Sequence, residues 1–135
     1  MKNNIFKLLA GVVGIYHVIL GVSALVLPTD VMTKVVSTIL GVVPVADEQF
    51  LLIAKYTGAY VFIFGILALL LASNPHKHRS LIYPILFLFG IRMIDRVLFF
   101  GSIAAISTST AQIWFGTISI AFFFFGLLLT IPKKD

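Results

Sequence analysis

The segment FLLIAKYTGAYVFIFGILALLLA, residues 50–72, decides the fold class. Its only formal charge is Lys55. A helix rises about 1.5 Å per residue, so a run of this length crosses a hydrocarbon core roughly 30 Å thick. The run lacks the alternation of apolar and polar residues that a membrane β-barrel strand needs, so a helix is expected. Working outward, similar runs occupy residues 5–27, 81–105 and 111–131. The expected fold is all-α: one transmembrane domain over residues 1–135, built as a four-helix bundle.

The composition agrees. Residues are 60% hydrophobic and only 11% charged, against about 25% charged in soluble domains. So few charges cannot cover a water-facing surface, and the lipid bilayer is the expected surrounding. The net charge of +5 does not point to nucleic acid, because the basic residues are few and sit mostly at the ends of apolar runs. The absence of cysteine excludes disulfides, thiolate metal sites and a cysteine nucleophile. The first run is longer than a secretory signal core and has no clear small-x-small cleavage site, so it reads as a retained membrane helix.

The connections carry the orientation signal. Lys2, Lys7, Lys77, Arg79, Lys133 and Lys134 fall on one side of four alternating helices. The other side has Lys34 beside Asp30, Asp47 and Glu48. The positive-inside rule then puts both termini and the 73–80 connection in the cytoplasm, with a bacterial cytoplasmic membrane as the expected location. Trp114 falls at the outer interface, where tryptophan is favoured. Between the first two runs, a short helix is expected from Val31 to Leu40, capped by Thr29 or Asp30 and ended by Gly41; it reads either as an interfacial helix or as a loop helix packed on the bundle. Its apolar residues Val31, Met32, Val35, Val36, Ile39 and Leu40 share one face.

Gly14 and Gly21 are seven residues apart, as are Gly58 and Gly65, so each pair marks one helix face that admits close approach. The surrounding segments also look alike: Tyr16 matches Tyr60, and Ala24-Leu25 matches Ala68-Leu69. Two readings are open: a weak repeat in opposite membrane orientations, or chance similarity between helices with the same packing need.

The residues with most chemistry are Arg92, Asp95 and Arg96, near the middle of the third run. Each charge at that depth costs at least ~2.5 kcal/mol. Arg92 and Asp95 are i, i+3 neighbours and can pair, but one carboxylate against two guanidinium groups leaves a positive excess. Depth counting brings His17 and Lys55 toward this level, with Tyr16, Tyr56 and Tyr60 as ring contacts. The cluster reads either as a structural ion pair that sets helix packing or as a site for a ligand or partner. Taken singly, His17 also reads as a hydrogen-bonded core histidine, and Lys55 as a residue snorkelling to the interface. His76 and His78 lie in a basic loop without acidic neighbours, which favours a solvated loop over a metal site. The run Phe122–Phe125 suits lipid contact or bundle packing. No metal site and no catalytic constellation is visible.

The run Lys55-Tyr56-Thr57-Gly58-Ala59-Tyr60, with Phe64-Gly65 and Gly90-Ile91-Arg92, resembles the small BphX-like membrane proteins and, more broadly, the DoxX-like four-helix group. The resemblance implies the same four-helix fold over nearly the whole chain. BphX-like proteins supply no defined activity, and some DoxX-like relatives imply a membrane subunit of a quinone-linked oxidoreductase. This chain lacks redox-active cysteines and paired haem-ligand histidines, so intrinsic redox chemistry is not expected and no cofactor is assigned. Two functions are carried forward. One is a non-enzymatic accessory or scaffold subunit with membrane-protein partners. The other is a binding protein for a quinone-like or anionic lipid-like molecule at the charged cluster. A channel is disfavoured, because few Ser, Thr or acidic residues line any one helix.

Overall fold

The computed structural model describes residues 2–41, 47–107 and 109–132, without the side chains of Ile39 and Leu40. Lys133 and Lys134, two of the orientation-setting residues, therefore lie outside the described residues. The described chain is helical, in the order α1 (Lys2–Val26), α2 (Thr29–Leu40), α3 (Glu48–Ser73), α4 (Ile82–Leu98), α5 (Phe100–Ile106) and α6 (Thr110–Thr130), with a 3-10 turn at Arg79–Leu81 before α4. Three of these helices, α1, α3 and α6, are long and apolar enough to cross a membrane.

The third expected span is not one continuous helix. The run 81–105 divides into α4 and α5 at Phe99, whose φ of −105° and ψ of 19° leave the helical region. Its 17-residue first part measures about 25 Å, less than a full hydrocarbon crossing. The local cause is the run of Phe99 and Phe100 into Gly101-Ser102, because aromatic and Gly/Ser residues are weak helix formers and a Gly/Ser pair is a common site of helix interruption. The Phe99 N–H still donates to the Asp95 carbonyl at 2.9 Å, so α5 follows closely on α4.

Local chemistry sets the other helix ends. Pro28 stops α1, since the residue before a proline is pushed out of the helical region. Asp47 caps α3, accepting the Phe50 N–H at 2.6 Å, and Ser109 caps α6, accepting the Ala111 N–H at 3.2 Å. The expected side-chain cap on α2 is absent: Pro28 precedes the helix, and Thr29 and Asp30 both lie in its first turn. Gly41 does end α2, with a left-handed φ of 67° that glycine adopts without strain. Of the expected apolar face of α2, Met32 is buried and Val31 is exposed.

The longest contact runs between α1 and α3. In lipid, helices gain little from hydrophobic burial and depend on close packing. A Cβ on Gly65 would lie 2.6 Å from the Val18 backbone nitrogen, and a Cβ on Gly21 would press on the Phe62 backbone nitrogen. Only glycine permits this approach. The contact has a local twofold symmetry: exchanging Gly21 for Gly65 and Phe62 for Val18 carries one contact onto the other. A repeat and a shared packing need both produce this symmetry.

A core of Phe6, Leu71, Ile82, Ile85 and Leu127 joins the start of α1, the end of α3, the start of α4 and the end of α6. Near the same end, Arg79 Nη1 donates to the Pro132 carbonyl at 2.6 Å. At the opposite end the Ser107 hydroxyl donates to the Gly41 carbonyl at 2.9 Å, and Gly41 packs on Gln112. Helices α1 and α4 thus run one way, and α3 and α6 run the other.

Candidate functional site

Between α1, α4 and α6 lies a cavity of about 270 Å³. Helix α1 contributes Tyr16 and His17, and α4 contributes Phe89, Arg92 and Arg96. Helix α6 contributes Gln112, Phe115, Gly116, Ser119 and Phe123. Arg92 and Arg96 are one turn apart on α4, so both guanidinium groups can point to one side.

His17 sits at the cavity wall, only 5% exposed. Its Nδ1 lies 2.7 Å from the Val13 carbonyl, which can only accept, so Nδ1 carries a proton and donates. Nε2 lies 3.3 Å from Arg92 Nη1, and a guanidinium can only donate, so Nε2 presents its lone pair. The imidazole is therefore the neutral Nδ1–H tautomer. Phe64 packs edge-on against the ring with centroids 4.8 Å apart, and Tyr16 does so at 5.3 Å.

Arg96 lies over Gly116, where a Cβ would come within 3.2 Å of Nη2. Its position in the last turn of α4 places it among free carbonyls that favour a cation by about 0.3–1 kcal/mol. Among the described residues, Arg96 makes no side-chain hydrogen bond, Arg92 makes only the one to His17, and neither has a carboxylate within ion-pair distance. Two guanidinium groups with ten N–H donors thus satisfy one acceptor.

The expected cluster separates. His17, Tyr16, Arg92 and Arg96 share the cavity. Asp95 does not join them: it is exposed, and the expected Arg92–Asp95 pair does not form. Asp95 is turned round the helix from the face that carries the two arginines. Lys55 is also elsewhere. It is exposed and lines a separate hollow of about 340 Å³ with Leu27, Pro28, Met32 and Glu48. Lys55 lies beside the end of α1, well outside the level of His17 and Arg92, and α3 packs along α1 and scarcely meets α4. Tyr56 and Tyr60 are exposed; two residues to either side of Gly58, they fall on the far side of α3 from its contact with α1.

Gln112, Gly116, Ser119 and Phe123 are wall residues that depth counting over charged groups does not find. Their signal is spacing: i, i+4, i+7 and i+11 mark one stripe of α6. Within the phenylalanine run, Phe123 faces the cavity and Phe124 lines an apolar groove with Gly90 and Tyr83. Phe122 and Phe125 are exposed. No group of three or more His, Asp or Glu suited to a metal ion occurs among the described residues.

No family model, no curated protein and no solved structure matches this chain.

Proposed function

We propose that this is a four-crossing membrane protein that binds the acidic head of a small amphiphilic molecule in the cavity between α1, α4 and α6. Helix α4 with α5 makes the third crossing, α2 lies at the outer interface, and both termini are cytoplasmic. The observation that carries the reading is the pair of guanidinium groups, Arg92 and Arg96, facing a cavity with no carboxylate among the described residues that line it. Each costs about 2.5–3.5 kcal/mol or more at membrane depth unless something compensates. An anion is the compensation that the cavity has room for, and guanidinium forks match carboxylate and phosphate oxygens. Tyr16 and Ser119 add hydroxyls, and Phe89, Phe115 and Phe123 suit an apolar or aromatic body. A neutral quinone would accept hydrogen bonds here but would leave both positive charges uncompensated, so an acid fits better.

The test is purification in mild detergent, followed by native mass spectrometry and extraction of bound small molecules. The expected result is an acidic amphiphile at up to one per chain, lost when Arg92→Gln and Arg96→Gln are combined. An empty wild-type cavity together with stably bound foreign subunits would instead favour the accessory-subunit reading.

A further inference from the structure

We propose that the head held between α1, α4 and α6 is a terminal phosphate: a phosphate monoester with close to two negative charges, carried on a single apolar tail. The proposal rests on the anion-binding reading above and narrows it to one class of acid.

The donors set the class. Arg92 and Arg96 line one cavity from successive turns of α4, and a guanidinium carries a fixed charge and a planar fork of N–H groups. Among the described residues, Arg92 meets the His17 Nε2 at 3.3 Å and Arg96 meets no acceptor. Nε2 is neutral, so that contact leaves both charges uncompensated. A carboxylate brings one negative charge and two oxygens, and a fork-to-fork pair with a single arginine uses both. The other arginine then keeps its charge. A phosphate monoester brings about −1.5 to −2 near neutral pH and three terminal oxygens, enough to face both forks at once. A phosphodiester brings one charge and is flanked by ester groups on two sides. Asp95 does not change the comparison, since it is exposed and has no arginine within ion-pair distance among the described residues.

The space limits the rest of the molecule. The cavity holds about 270 Å³, below the roughly 300–1,000 Å³ that encloses a drug-sized ligand. It has room for a head and the first carbons of a chain. The remainder must leave past Val12, Tyr16 and Phe115, which line the cavity and are also exposed. The walls divide to match: the Tyr16 and Ser119 hydroxyls join the guanidinium groups as donors, while Val13, Phe89 and Phe123 offer apolar surface to the start of a tail.

The test uses the full-length protein in phosphatidylcholine nanodiscs at about pH 8, above the second phosphate ionisation near ~6. Three probes share one chain length: dodecyl phosphate, dodecanoate and dodecyl methyl phosphate. Inorganic phosphate is the fourth, and native mass spectrometry reads the adducts. Dodecyl phosphate should bind roughly tenfold tighter or more than dodecanoate and the methyl diester, the gain of one further charge-assisted hydrogen bond. Inorganic phosphate should fail to displace it at the same concentration. Arg96→Gln leaves one fork, so this variant should bind dodecyl phosphate and dodecanoate within a few-fold of each other; the preference is lost and not only the affinity. The wild-type ranking decides the proposal by itself if that variant does not fold. Dodecanoate or the diester binding as tightly as dodecyl phosphate would overturn the proposal and leave the anion reading standing, as would a full preference retained in Arg96→Gln. Inorganic phosphate binding equally well would overturn the tail and make this a site for the free ion. Binding of none of the four would overturn both readings.

Discussion

His17 uses both ring nitrogens, one on its own helix at Val13 and one on Arg92. It therefore fixes its own orientation and supplies Arg92 with its one side-chain acceptor among the described residues. His17→Ala should destabilise the protein by about 1–3 kcal/mol, the cost of leaving a buried donor unsatisfied. His17→Gln, which can still accept from Arg92, should recover part of the loss; thermal unfolding in detergent measures both. Equal unfolding temperatures for wild type and His17→Ala would show that Arg92 has no need of the imidazole. Depth along the helices is readable in sequence, and it brings His17 and Arg92 to one level because α1 and α4 run in the same direction. Rotation about each helix axis is not readable in this way. That is why Asp95 belongs to nearly the same level as the arginines but faces elsewhere, and why Gln112 and Ser119, uncharged and unremarkable in composition, escape notice.

The pairing of α1 with α3 rests on glycine. Gly65→Ala would place a methyl 2.6 Å from the Val18 backbone nitrogen, where backbone rather than a flexible side chain must move. The helices would separate, and stability should fall by about 1–3 kcal/mol, as for overpacking elsewhere. Gly101→Ala is the matched control: nothing lies within 4 Å of its Cβ, and alanine in a helix gains about 0.5–1 kcal/mol over glycine. Unfolding in a graded mixture of mild and harsh detergent should rank Gly101→Ala at or above wild type and Gly65→Ala well below. A neutral Gly65→Ala would mean that the crossing tolerates a wider spacing. The seven-residue glycine spacing is legible because it sets a face whatever the partner. The interruption at Phe99 is not, because the apolar count from 81 to 105 is that of an unbroken span. What divides it is the weak helix propensity of Phe99-Phe100-Gly101-Ser102, a local effect that hydropathy averages out.

Across the whole molecule, the lysine and arginine asymmetry and the alternation of the helices imply one orientation. The chain has no native cysteine, so single cysteines report it directly. A cysteine at Lys77 should be protected from a membrane-impermeant thiol reagent in intact cells, while one at Glu48 should react. The reverse pattern would invert the topology and place the arginine cavity nearer the cytoplasm. The three long spans α1, α3 and α6 are legible because membrane thickness imposes a length that soluble helices seldom need. How they pack is less so, since lipid-facing and protein-facing residues are equally apolar here. Val12, Tyr16 and Phe115 line the cavity and are also exposed, while Gly41, Ser107 and Gln112 pack together at the end of the bundle beside Arg96. The open side therefore faces acyl chains rather than water. For a ligand entering there, the quantity that governs occupancy is its mole fraction in the bilayer. Diluting the buffer would leave the site filled, whereas adding empty lipid would drain it.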